Sequence, residues 1–334
     1  MKITHIHIER FRGFQNEDFE VGSLLTAIAG QNGTQKSTLL GIITQTFTLK
    51  TEDSMRVEKP LCGGSYISAF KDKFRLSPTF DKPKGHEWTI SFDAGMDDFT
   101  VESIKRTGDP NVRFWKKGAR QEGDGYISFP TIFLSLKRLV PVAEEAKIIT
   151  DDTLLTQEEL NEFKQLHNKI LIAQTPISSA TTITSKNKQS IGVSTELYDW
   201  NQNSMGQDNL GKIILALFSF KRLHDKYPRQ YKGGILAIDE MDATMYPASQ
   251  VELLKVLRKY ASKLNLQILF TTHSMSLLKA MDDLVQEVTK KEETANQAKI
   301  LYLKKVDDKI AIKQGVNFKG IQLDLNVVAE GNNR

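Results

Sequence analysis

Apolar and polar positions change rhythm along this chain, and the rhythm divides it. Ile3, Ile6 and Ile8 alternate with polar residues over 2–9, which predicts a half-buried strand. Arg12-Gly13-Phe14 reads as a turn. Residues 19–21 and 24–29 predict two more short strands, split by Gly22-Ser23, and the second runs into a glycine-containing loop. Leu39, Leu40, Ile43 and Phe47 then recur at helical spacing, so a helix is predicted over about 36–47.

Residues 50–130 are rich in Gly, Pro, Asp and Lys, with short strand-like pieces at 88–92 and 99–101, and predict a β-rich lobe. Another apolar strand is expected over 131–136. Leu155, Leu160, Phe163, Leu166 and Ile170 share one helix face, and 174–192, rich in Thr, Ser and Lys without periodicity, predicts a mobile loop. Beyond 198, helices (209–225, 250–263, 274–284) alternate with buried strands (234–238, 266–270), and a hairpin closes on Asp307-Asp308. There is no internal repeat and no sustained heptad pattern. The fold class is α/β.

Between the third strand and the first helix lies Gly30-Gln31-Asn32-Gly33-Thr34-Gln35-Lys36-Ser37-Thr38. A strand, a glycine loop and a helix in that order form a phosphate-binding loop, because loop amides and the helix N-terminus face the anion. Gly30, Asn32, Gly33, Thr34, Gln35, Lys36, Ser37 and Thr38 are the expected nucleotide contacts. Lys36 is expected to reach the β- and γ-phosphates, and Ser37 to place its hydroxyl on Mg²⁺. Gln35 departs from the pattern, which has glycine before the lysine.

Three further segments carry chemistry. Gly234-Ile235-Leu236-Ala237-Ile238-Asp239-Glu240 is a buried strand delivering two carboxylates to its C-terminal edge, where open α/β sheets bind ligands. Asp239 is expected to hold Mg²⁺ and Glu240 to orient or deprotonate the attacking water. Leu269-Phe270-Thr271-Thr272-His273-Ser274 brings a histidine to the same edge, where a neutral imidazole would sense the γ-phosphate. Ser204 and Gly206 stand before a helix and suit an N-terminus offered to an anion, although Asp208 aimed at a phosphate would be unfavourable.

The four segments, in this order, resemble the ABC-type ATPase head of the SMC, RecF and OLD proteins, as does the opening Ile6-His7-Ile8-Glu9-Arg10-Phe11-Arg12-Gly13-Phe14. The resemblance covers about 1–48 and 195–280. It implies a P-loop NTPase: an ABC-ATPase head, with a mixed sheet flanked by helices, built from 1–48 and 195–334. A β-rich lobe (49–140) and a helical insertion with the mobile loop (141–194) would interrupt that head. It implies ATP and Mg²⁺ as cofactors, slow ATP hydrolysis, Glu240 as catalytic glutamate and His273 as switch histidine. Arg12 joins the nucleotide-binding set. Ser204 and Gly206 become a signature motif that binds the γ-phosphate held by a second copy, giving a homodimer or higher homo-oligomer. Residues 242–247 would cross that interface, with Met245-Tyr246-Pro247 where relatives often have Leu-His-Pro or Leu-Asp. No position is assigned to the family's Q-loop glutamine.

Within that group the short insertion excludes long coiled-coil members. The Gln-Lys-Ser-Thr loop, Leu134-Ser135-Leu136-Lys137-Arg138-Leu139 and Met205-Gly206-Gln207-Asp208-Asn209-Leu210-Gly211-Lys212 look most like ATPases of Septu-type and retron-associated anti-phage systems. Those work with a nuclease or other effector. Asn326-Val327-Val328-Ala329-Glu330-Gly331 resembles the first strand and glutamate of a TOPRIM nuclease.

Composition fits this picture: 40% hydrophobic and 26% charged over 334 residues, no apolar run near membrane-spanning length, and one cysteine, Cys62. No secretory signal is read at the N-terminus, and a cytoplasmic location is expected. The net charge of +4 does not by itself argue for nucleic acid. Between Glu102 and Glu122, however, Lys105, Arg106, Arg113, Lys116, Lys117 and Arg120 surround Phe114 and Trp115. This cluster is either a solvated hairpin face or a contact for a phosphate backbone. A RecF-like DNA-repair ATPase and a non-hydrolysing ATP-dependent scaffold therefore stand as alternatives.

Overall fold

The computed structural model describes the chain outside residues 67–72, 94, 106–111, 119–124, 141–147, 152–153, 186–188 and 332–334, and the side chains of 326–331. The first strands, β1 (Ile3–Phe11) and β2 (Phe14–Glu20), form a hairpin through the expected turn, and β3 (Leu25–Gly30) leads to helix α1 (Lys36–Thr44). Short β4 (Phe47–Thr48) is followed by β5 (Glu87–Phe92), β6 (Phe99–Lys105), β7 (Val112–Lys116), β8 (Ile127–Ser128) and β9 (Thr131–Leu134). Next come β10 (Ile149–Asp151), α2 (Gln157–Leu171), β11 (Ser179–Thr184) and β12 (Gln189–Ser194). The chain continues through α3 (Met205–Lys226), β13 (Gly234–Ile238), α4 (Pro247–Lys263), β14 (Leu266–Thr272) and α5 (Met275–Val288). It finishes with β15 (Ala298–Val306), β16 (Lys309–Gln314) and α6 (Phe318–Gly331).

Six strands in the order β16-β15-β3-β14-β13-β9 make the central sheet. All its pairs are parallel except β15 with β16. Its inner strands are apolar throughout because both faces are covered. Leu25, Ala27, Leu236, Ile238, Ile268 and Phe270 pack with helices α2 to α5. Ile28, Ile235, Ala237, Leu269, Leu301 and Leu303 pack with α1 and a second sheet, the antiparallel β2-β1-β5-β6-β7. Segment 49–140 thus adds strands to both sheets: β5 pairs with β1, and β9 pairs with β13. Helix starts follow from capping. Thr156 and Ser204 each form a capping box, with Glu159 and Gln207, and Pro247 opens α4.

Residues 174–192 are not the expected mobile loop: β11 and β12 pair in register from Ser179↔Ser194 to Thr184↔Gln189. Ile183, Ile191 and Val193 are buried, and the β-branched threonines that hid any helical rhythm suit a pleated strand. Asn326 to Gly331 is no strand either; it continues α6. The expected β6–β7 hairpin forms, with Lys117 on Glu87 at 2.6 Å and Lys116 over the Phe99 ring, while Arg106 and Arg120 lie outside the described residues.

Among the links between the two sheets is a buried side-chain amide. Gln267 Oε1 accepts from Ile3 N–H at 2.7 Å, and Nε2 donates to Ile3 O at 2.8 Å and Gly22 O at 3.1 Å. Gln267→Leu keeps the volume and orphans these groups. It is expected to lower unfolding free energy by about 2–4 kcal/mol, read as a drop in the urea midpoint at constant m-value.

Candidate nucleotide site

Helix α1 begins without a side-chain cap, so its first amides are left to an outside acceptor. The loop before it depends on two glycines. Gly30 has φ +151, and a Cβ there would meet Leu303 O at 2.4 Å; Gly33 has φ +81. Thr34 Oγ1 donates to Gln31 O at 2.8 Å and fixes the bend, while Asn32 and Gly33 are exposed at its tip. Lys36 is buried, its Nζ folded onto Gly30 O at 3.0 Å and Gln31 O at 2.9 Å. Burial holds its amine below the usual lysine range; the charges of Glu240, Asp239 and Asp242 pull it back.

Gln35 occupies the left-handed region, with φ 61 and ψ 31. Its side chain lies over the β1–β2 turn, where Gly13 N–H donates to Oε1 at 3.4 Å. Arg12, in that turn, donates through Nη1 to Thr38 Oγ1 at 3.3 Å. The rest of its guanidinium grips both oxygens of Asp81, each at 3.1 Å, and Asp81 is also hydrogen-bonded to buried His86. Arg12 is therefore held at the end of the phosphate loop, beside Thr38.

Asp239 ends β13 beside the start of α1, because β3, β14 and β13 lie side by side. Ser37 Oγ donates to Asp239 Oδ1 at 2.9 Å across 202 residues of sequence. Thr271 Oγ1 donates to the same oxygen at 2.7 Å and accepts from Glu240 N–H at 2.6 Å. Glu240 itself has φ 49, so the turn after the strand is left-handed. His273 is exposed just past β14. Desolvation, then the Lys36 charge, hold its imidazole below the usual histidine range, which favours the neutral form.

Ser204 and Gly206 are brought to the start of α3. Ser204 is the N-cap, and the turn is tied to Tyr198 by Gln207 Nε2 at 2.6 Å. A Cβ on Gly206 would meet Thr244 O at 2.6 Å, so glycine lets the helix rest on the segment after Glu240. Ser204 is bonded within its own capping box and Gly206 packs on Thr244 O.

The donor set fits a polyphosphate with its cation. Amides and Lys36 face the carboxylates of Asp239, Glu240 and Asp242, and Asp242 Oδ1 is buried without a hydrogen-bond partner. Among the described residues, no group of three or more His, Cys, Asp or Glu could hold a metal alone. Ser37 and Asp239, with phosphate oxygens, would hold Mg²⁺.

Sequence reasoning passed over Thr271, Asp81 and Arg138. Thr271 is a polar residue in an otherwise apolar strand, which was a usable signal. Asp81 had none, lying in a Gly- and Pro-rich stretch. Arg138, just beyond β9, is buried at 3% exposure, and burial pushes its guanidinium down to about 10.

Residues 135–278 match the model of the AAA ATPase domain family. That span holds Ser204, Gly206, Asp239, Glu240 and His273 and begins after the phosphate loop. No curated protein matches the chain. Among solved structures, the SMC head domain from Thermotoga maritima is 14% identical, with 95% of this chain and 100% of that one covered at a TM-score of 0.51. The SMC head bound to the C-winged helix domain of ScpA is 13% identical, with 96% and 100% covered at 0.54. The SMC head with an extended coiled coil, bound to the C-terminal domain of ScpA derived from Pyrococcus furiosus, is 12% identical, with 98% and 99% covered at 0.50. The likeness is one of fold, the mixed α/β P-loop ATPase head. No helix among the described residues is long and apolar enough to cross a membrane.

Left-handed backbone costs a non-glycine residue about 1–2 kcal/mol, while glycine adds about 0.5–1 kcal/mol of unfolded-state entropy. Gln35→Gly is therefore expected to raise stability by up to about 1 kcal/mol, and Gln35→Val to lower it by more than about 1 kcal/mol, in paired thermal denaturation.

Proposed function

We propose that this chain binds ATP with Mg²⁺, hydrolyses it slowly, and pairs with a second copy across the nucleotide. The observation that carries this reading is the Ser37–Asp239 hydrogen bond at 2.9 Å beside Lys36, two distant segments meeting where a cation on β- and γ-phosphates would lie. When bound, Mg²⁺ supplies charge neutralisation between those phosphates. Lys36 leaves the carbonyls of Gly30 and Gln31 for phosphate oxygens, gaining an anionic partner that raises its amine back toward the usual lysine range. Glu240 orients a water and takes its proton as the water oxygen attacks the γ-phosphorus and the bond to the β–γ bridging oxygen breaks. ADP and phosphate leave, and the proton returns to solvent. Neutral His273 donates to the γ-phosphate. The strained Gln35 slows the cycle by tying the loop to the β1–β2 turn.

The second copy rests on the resemblance of Ser204 and Gly206 to a signature motif, which sits at the N-terminus of α3. The phosphate-loop and signature segments resemble defence ATPases, and on that basis the closed pair controls a partner nuclease or effector in the cytoplasm of a phage-challenged cell. A gene for an HNH nuclease or a reverse transcriptase beside this one would support that role. A RecF-like client, DNA, rests on the β6–β7 basic cluster; Lys116 and Lys117 there are engaged within the chain.

Phosphate release should fall to background in Lys36→Ala and by about 10²–10⁴-fold in Glu240→Gln. Wild-type release no higher than Lys36→Ala would make the chain a scaffold instead. In light scattering, Glu240→Gln with ATP and Mg²⁺ is expected at twice the monomer mass. A monomer under those conditions, with no larger assembly in the absence of ATP, excludes the dimer mechanism.

A further inference from the structure

Arg138 is a buried cation whose hydrogen bonds go to neutral oxygens. Nε donates to Asn209 Oδ1 at 2.7 Å, Nη1 to Leu134 O and Ser135 O at 3.1 Å each, and Nη2 to Glu240 O at 2.8 Å. Burying a guanidinium is unfavourable unless its donors are matched, and its rigid fork can hold several acceptors in one plane. Here it spans three elements: the end of β9, the second turn of α3, and the turn after β13. Asn209 closes the figure, since its Nδ2 donates to Ala243 O at 2.9 Å. The turn from Glu240 to Ala243 is thus bonded directly to the helix that Ser204 caps at Ala243, and through Arg138 at Glu240. Gly206 touches the same segment at Thr244 O. Glu240 at φ 49 and Thr244 at φ 67 are both left-handed, a conformation that persists only where neighbours enforce it.

We propose that Arg138 is a positioning residue for ATP hydrolysis. With Asn209 it forms a strut from the first turns of α3 to the turn carrying Glu240. Engagement of Ser204 and Gly206 by the second copy's nucleotide then sets Glu240 in this copy's own site. The inference rests on the composite-site reading above. It adds that the two sites of a pair are linked through each chain, by way of a residue that touches neither nucleotide.

Two arms test it on the full chain. In steady-state ATP turnover, Arg138→Lys, which keeps the charge and loses the fork, should lower kcat tenfold or more with KM within about threefold. Asn209→Ala should do the same, and the double variant should be no slower than the worse single one. An unchanged kcat, a KM that rises in step, or additive losses would overturn the strut. The second arm is hydrogen exchange without nucleotide. Amide exchange should rise together at 205–210 and 240–245 in Arg138→Lys; a rise confined to 134–140 would overturn the proposal. Should Arg138→Lys fail to fold, Asn209→Ala, which removes half the link, carries both arms. Wild type with no turnover above Lys36→Ala would sink the ATPase reading alone, and the exchange arm would still decide the strut.

Discussion

The structure depends on one oxygen atom. Asp239 Oδ1 receives hydrogen bonds from Ser37, at the start of α1, and from Thr271, in β14. For those hydroxyls to reach it, β3, β14 and β13 must be neighbours, parallel and in register. The pairings Ile268↔Leu25 and Leu236↔Ile268 supply that register. Both faces of the three strands must then be buried, which requires helices on one side and the five-stranded sheet on the other. A carboxylate so placed is costly to bury alone, and the two hydroxyl donors are what make it tolerable.

Much of this was legible in the sequence, and unevenly. The phosphate loop, the Asp239–Glu240 strand end and the His273 strand end are each local: a few residues whose spacing states both their element and their chemistry. The parallel order of the strands follows from helices alternating with apolar runs. What was not legible is what depends on distant partners. No pattern in 87–116 says that those strands extend the sheet begun by β1; only the β1–β5 register, from Ile3↔Phe92 to Arg10↔Glu87, does. Residues 174–192 misled because threonine and serine hide strand alternation behind polar side chains. Arg138 and Asp81 are single polar residues whose meaning lies in Asn209, Glu240 and Arg12.

The site stores conformational strain at the phosphate loop and at the turn after β13. Arg12, Gln35, Glu240 and Thr244 all have positive φ, and each adjoins a group assigned to nucleotide, water or the second copy. Three of them are held by specific hydrogen bonds to neighbours: Arg12 by Asp81, Gln35 by the Gly13 amide, Glu240 by Thr271 and Arg138. Backbone in this region persists only where its neighbours enforce it, so loss of any one of these holds would release strain at the site.

The partners of β3 also govern when the site can exist. Its parallel neighbour β15 begins at Ala298, and Ile310 N–H donates to Gly13 O at 2.8 Å in the turn that carries Arg12. The strands that flank β3, β14 (Leu266–Thr272) and β15 (Ala298–Val306), are therefore synthesised long after the phosphate loop. Until β14 is made, β3 is an apolar strand with both edges unpaired, and one edge stays open until β15 follows, a state in which long-range contact order slows closure and favours association with the wrong partner. The same strand order that builds a nucleotide site from distant pieces makes its assembly a late event.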